Sequence, residues 1–145
     1  MKNLTGSHKV SVVINLLSLL FFFTPFVVLT GHVGTDNTVI LWGFEMVFGT
    51  SKFDGVNIIM ILVFAFIVGS LVMSYLSQTS KLLAFLAGGL SCASAVLLFM
   101  VCVFVRCGME VSASSWTATV HFGSMTVAGL QVIATMSSLV SCFEK

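Results

Sequence analysis

Four stretches of the chain run without an Asp, Glu, Lys or Arg, and polar side chains are scattered thinly within them. Residues 10–30 hold few polar side chains, Asn15, Ser18 and Thr24 among them, whereas 56–76 and 82–105 are more uniformly apolar. Residues 120–142 are richer in Ser, Thr, Ala and Gly, but uncharged over their whole length. About 20 apolar residues in a helix cross the hydrocarbon of a bilayer. Each stretch is continuous rather than alternating, which selects helix over strand. The pattern predicts an all-α membrane protein with four transmembrane helices in an antiparallel bundle. It forms a single integral membrane domain over residues 1–145. The start of the first stretch is positive, with Lys2 and Lys9. Its core is about twice the length of a signal-peptide core and no A-x-A-like site follows, so a retained helix is expected.

Composition strengthens this picture. The 145 residues are 58% hydrophobic and 8% charged, with a mean hydropathy of +1.14. Soluble domains carry roughly 25% charged residues. A chain this apolar cannot cover its own surface with polar groups, so lipid is the expected solvent. The net charge of +1 and the lack of a basic cluster argue against nucleic acid as a partner.

The connections set the direction. The segment 1–9, the turn "SQTSK" at 77–81 and the C-terminus hold Lys2, Lys9, Lys81 and Lys145. The connections 31–55 and 106–119 hold Lys52 and Arg106. This balance places both termini in the cytoplasm of a multi-pass protein of the cell membrane. Trp42 and Trp116 then fall on the outer side, where interfacial anchors belong.

Helices in lipid are held by close backbone approach and by hydrogen bonds between them. The third span offers a stripe of small residues, Ala87, Ser91 and Ala95, flanked by Ala84, Gly88 and Cys92. The fourth offers Ser124, Ala128 and Gly129, and the second Ala65 and Gly69. The five-residue turn makes spans two and three antiparallel neighbours. The first span, with "LLSLLFFFTPF", is bulky and suits lipid or a partner; Pro25 is expected to kink it near its outer end.

Candidate chemistry is sparse. No ionisable residue lies at mid-span, where carriers and proton pumps usually place one. The deep polar groups are Asn15, Ser18, Ser70, Ser91, Ser94, Thr126 and Gln131. Gln131 is the strongest hydrogen-bonder of the fourth span; bonding across to another helix is favoured over binding a ligand. His32 and His121 could meet near the outer surface and respond to pH, but spacing fixes no metal geometry with Asp36 or Glu110. His8 reads as a solvated or headgroup-level residue. Of the four cysteines, Cys92 and Cys102 lie in an apolar run, Cys107 just beyond it and Cys142 near the C-terminus. No CxxC or zinc-ligand spacing is present. Cys102 and Cys107 could pair only where the helix ends between them. No serine–histidine–acid arrangement, phosphate loop or HExxH appears. No cofactor and no metal are expected.

The outer stretch "LWGFEMVFG", residues 41–49, is too hydrophobic to float in water. Val39 to Trp42 reads as a short strand; Trp42, Glu45 and Met46 read equally as one face of a short interfacial helix. Glu45 would be partly desolvated and paired with Lys52 or Arg106. Either a cap over the bundle or a partner surface results.

The run "FFFTPFV" closing the first span, then "GFEMVFG", then three further apolar spans, resembles uncharacterised small four-helix membrane proteins of Gram-positive-type bacteria and mollicutes. The resemblance covers the topology of the whole chain and about a dozen positions. It implies that topology and no established activity. A claudin-like arrangement shares the long first outer loop, but its paired cysteines and Trp-x-x-Trp-type signature are missing between residues 31 and 55, so that function is not implied.

A chain rich in packing surface and poor in catalytic groups is expected to be a non-enzymatic accessory or structural protein. It would pack with itself or with other membrane subunits, and with lipid, through Trp42, Phe44, Glu45, Phe48, Ala87, Ser91, Ala95 and Gln131. Two alternatives remain: a small oligomeric transporter or channel lined by Gln131, and a thiol redox protein using Cys102 and Cys107.

Overall fold

The structure, a computed structural model, describes residues 6–31, 38–49, 57–77, 80–108 and 116–143. For Phe104 and residues 106–108 only the backbone is described. Six helices and three strands follow one another: α1 (Gly6–Phe21), β1 (Pro25–Gly31), β2 (Thr38–Trp42), α2 (Gly43–Phe48), α3 (Ile58–Leu76), α4 (Lys81–Phe99), α5 (Val101–Gly108), β3 (Trp116–Val120) and α6 (Phe122–Phe143). Helices α1, α3, α4 and α6 form a bundle, and the strands form a sheet at one end of it.

Helices α3, α4 and α6 are each long and apolar enough to cross a membrane. Their bounds fall close to three of the expected spans. Asn57 caps α3, its Oδ1 accepting from the Ile59 and Met60 amides, and the Ser80 hydroxyl caps α4 by accepting from Leu82 N. The stretch 82–105 is two helices. Met100 leaves helical geometry (φ −97°, ψ 11°) and separates α4 from α5.

The first stretch corrects the all-α expectation. Helix α1 ends at Phe21, and residues 25–31 form the central strand of the sheet instead of the outer end of a span. The cause is local. The last turn tightens into three-residue hydrogen bonds, with Phe22, Phe23 and Thr24 donating to Leu19, Leu20 and Phe21. The Thr24 hydroxyl also donates to Phe21 O, at 2.6 Å. Pro25 has no amide to continue the helix, and the β-branched run that follows prefers a pleat. Pro25 therefore ends the helix and does not merely kink it.

The sheet has the order β2-β1-β3 and is antiparallel throughout. Val28 stands between Ile40 and Thr119, and Thr30 between Thr38 and Thr117. Strand β3 lies at 116–120, where a loop and the start of the fourth span are expected, and α6 begins only at Phe122. A bulge falls between Pro25 and Val27. The Phe26 carbonyl there accepts from His121 N at 2.8 Å and from the Ser124 hydroxyl at 3.2 Å. The bulge thus ties β1 to the first turn of α6.

Val27, Leu29 and Leu41 point from the sheet into the bundle and are fully buried. They meet Phe22, Phe26, Met46, Met60, Val63, Ile67, Leu98 and Val127 in one apolar core. This core fills only the sheet end. Toward the other end the interior changes character.

Candidate functional site

The interior away from the sheet is lined by polar side chains. His8, Ser11, Asn15 and Ser18 come from α1; Ser70 and Ser74 from α3, with Ser77 just after it; Ser91 and Ser94 from α4; Gln131, Ser138 and Ser141 from α6. All are buried. Their positions explain why. Along α1 and the turn that follows it, residues 8, 11, 15, 18 and 22 alternate steps of three and four, as do 60, 63, 67, 70 and 74 on α3. The pattern repeats at 84, 87, 91, 94 and 98 on α4 and at 124, 127, 131, 134 and 138 on α6. That 3.5-residue period is the seam of left-handed helix packing. On α1, α3 and α4 the seam carries large apolar residues near the sheet and mostly serine, asparagine or alanine farther away, whereas on α6 it runs from Ser124 and Val127 to Gln131, Ala134 and Ser138.

Gln131 is the hub. Its Nε2 donates to Asn15 Oδ1 at 3.2 Å and to Ser18 Oγ at 2.8 Å. Its Oε1 accepts from Ser94 Oγ at 3.0 Å. Ser18 in turn donates to Ile14 O, so its hydroxyl both gives and receives. Asn15 Nδ2 donates to Ser11 O and to Ser70 Oγ. Ser70 donates to Ala87 O at 3.1 Å and lies 2.6 Å from Ser91 Oγ. Farther from the sheet, Ser11 Oγ is 2.9 Å from both Ser74 Oγ and Ser138 Oγ. The seam ends at Ser77, whose hydroxyl donates to Ser74 O at 2.7 Å and meets His8 Nδ1 at 2.8 Å. His8 is therefore an interior residue, correcting its reading as solvated.

Apart from His8, this arrangement is chemically a connected set of uncharged hydroxyl and amide donors and acceptors. In a dry interior such groups are costly when unpaired, and here they pair with one another across four helices. Sequence reasoning found Asn15, Ser18, Ser70, Ser91, Ser94 and Gln131, and the expectation that Gln131 bonds across to other helices matches its geometry. Thr126 stands apart, donating to Phe122 O on its own helix. Ser11, Ser74, Ser77 and Ser138 were missed, although the three-four spacing marks them.

The small-residue stripe Ala87, Ser91 and Ala95 is buried inside the same bundle. Gly88, beside it, comes so close to α6 that an added Cβ would lie 3.5 Å from Ser138 Cβ. These residues, with Gln131, are consumed by packing within the chain.

The stretch 41–49 proves to be strand and helix in succession. Trp42 ends β2, and α2 begins at Gly43. The Trp42 amide donates to the Glu45 carboxylate at 3.1 Å, which fixes the first turn. Gly43 and Phe44 donate to Thr24 O and Phe22 O, docking α2 against the end of α1. Met46 and Val47 are buried, while Trp42, Phe44 and Phe48 are exposed. Lys52 and the Arg106 side chain, the expected partners of Glu45, lie outside the described residues.

His121 is half-buried at the sheet end; His32, Asp36 and Glu110 lie outside the described residues. Cys102 is half-buried and the Cys107 side chain is outside the described set, as is any pairing of the two. Among the described residues no three His, Cys, Asp or Glu side chains come together as metal ligands. A shallow apolar groove of about 220 Å³ runs between α4 and α6, lined by Ala95, Phe99, Val132 and Met136 among others. No known family, curated protein or solved structure matches this chain.

Proposed function

We propose that the chain is a four-span membrane protein without catalytic activity, acting as a structural or accessory subunit. The bundle α1, α3, α4 and α6 would cross the bilayer with both termini in the cytoplasm and the sheet outside. Helix α1 has 16 residues, about 24 Å at 1.5 Å per residue, and the turn at Phe22–Thr24 completes its crossing. Four lysines on the side of the termini against Lys52 and Arg106 on the other support the orientation.

The observation that carries the reading is the closure of the polar seam. The hub residues Gln131, Asn15 and Ser18 spend their hydrogen-bonding groups on one another, on serines of α3 and α4, and on the α1 backbone. The seam therefore supports a rigid scaffold better than a substrate site. What that scaffold presents is the outward face of the sheet, where Ile40 and Trp42 are exposed beside Thr30 and Thr119. β-Branched and aromatic side chains on an exposed sheet suit a protein contact.

Purification in mild detergent followed by mass determination tests this. Co-purifying subunits or a defined homo-oligomer is expected, weakened by Ile40→Asp. A stable monomer with no partner would overturn the proposal.

A further inference from the structure

Helix α2 is apolar on both its buried and its exposed faces, apart from the half-buried Glu45. Gly43, Met46 and Val47 turn inward. Phe44 and Phe48, four residues apart and so on one face, turn outward. Phe48 is 69% exposed, and its ring meets Phe64 of α3 edge-on at 5.9 Å. The Phe44 ring lies 5.7 Å from that of Phe23, itself 64% exposed. Glu45 is the single charged residue of α2, and its carboxylate is drawn back to the Trp42 amide. Three phenylalanines thus make one outward patch.

The patch belongs to a level. At the same end of the bundle, Phe99 closes α4 and Phe122 opens α6, both exposed. At the other end, Tyr75, Phe85 and Phe143 are exposed. The 22 residues of α6 separate the two levels by about 30 Å at 1.5 Å per residue. That is the thickness of a hydrocarbon core. A protein partner would cover one side of the bundle. Trp42, exposed at the sheet end, and Tyr75, exposed at the other, mark the two levels as membrane interfaces, and exposed phenylalanines beside them on several helices suit the acyl boundary.

We propose that α2 lies in the plane of the outer membrane interface, with Phe23, Phe44 and Phe48 inserted at the glycerol level of the outer-leaflet lipids. The partner of this patch is lipid acyl chain, and the sheet is thereby held at headgroup height. The inference rests on the membrane reading above and adds a lipid contact to it.

Depth-dependent quenching tests it. The full chain carrying Trp42→Phe and Trp116→Phe would receive Phe48→Trp or, separately, Phe44→Trp. Each variant would be placed in phosphatidylcholine vesicles brominated near the glycerol or near the chain end. Ile133→Trp, on the exposed face of α6 midway between the levels, reports on the membrane reading itself. Loss of Phe48→Trp and Phe44→Trp fluorescence is expected to be strongest with bromines nearest the glycerol. Ile133→Trp should lose most with chain-end bromines. Insensitivity of both α2 tryptophans to every brominated lipid, while Ile133→Trp is quenched, would overturn this inference alone. So would strongest α2 quenching by chain-end bromines. Insensitivity at all three positions would overturn the membrane reading as well.

Discussion

Gln131 on α6 donates its Nε2 proton to Asn15 Oδ1 on α1 across 3.2 Å, although 116 positions separate them in the chain. Each amide side chain satisfies the other and two or more serines besides. Removing either leaves buried groups without partners. Gln131→Leu and Asn15→Ala should each destabilise the bundle by about 1–2 kcal/mol, the upper part of the range for hydrogen bonds between membrane helices, because each removes several bonds at once. The double variant should lose less than the sum, because the two share one network. Equilibrium unfolding in mixed detergent micelles checks both magnitudes. Full additivity would mean that the seam is not a connected unit.

Two glycines of α6 should respond oppositely to the same change. A Cβ on Gly123 would meet the Thr24 hydroxyl, the Pro25 carbonyl and, at 3.0 Å, the Phe26 ring. Gly129 has open space. Gly123→Ala should cost about 1–3 kcal/mol through overpacking, whereas Gly129→Ala should be neutral or stabilising by up to about 1 kcal/mol from helix propensity. Thermal denaturation of the two variants side by side decides this.

Glu45 acts through its carboxylate on the Trp42 amide. Glu45→Ala should loosen α2 locally by about 0.5–2 kcal/mol, the cost of losing a helix-start acceptor. Glu45→Gln keeps an oxygen in place and should cost less. Amide hydrogen exchange over residues 42–48 is the readout, with exchange over α6 unchanged.

The proposed orientation has its own test. Thr30 and Thr119 are exposed on the sheet. In a cysteine-free background, Thr30→Cys and Thr119→Cys should both react with a membrane-impermeant thiol reagent added outside intact cells. Lys9→Cys should react only after permeabilisation. Labelling of Lys9→Cys from outside would reverse the topology.

Hydropathy alone located α3, α4 and α6, because an uncharged run of that length has few other conformations open to it. It failed at residues 25–30, where Val27, Val28 and Leu29 suit both lipid and a pleated sheet. Their strand partners, at 38–42 and 116–120, include a segment about 90 residues away, which no local window sees. The seam was half visible. Gln131 and Asn15 stand out as strong hydrogen-bonders, but a serine looks the same whether it faces lipid or interior. Only the alternation of three and four steps, followed along all four helices, separates Ser11 and Ser74 from the rest. Residues 41–49 drew two readings because they contain both answers, a strand ending at Trp42 and a helix starting at Gly43.

The polar seam also sets an order of assembly during synthesis. Helix α1 emerges first, carrying Ser11, Asn15 and Ser18 on one face. Their partners arrive on α3 and, last of all, on α6, where Gln131 waits. Strand β1 is likewise completed only when β3 is made, just before α6. The earliest and latest parts of the chain close the bundle and the sheet together. A nascent chain stopped before α6 would expose a row of unsatisfied amides and hydroxyls, a signal by which quality control could tell an unfinished copy from a finished one.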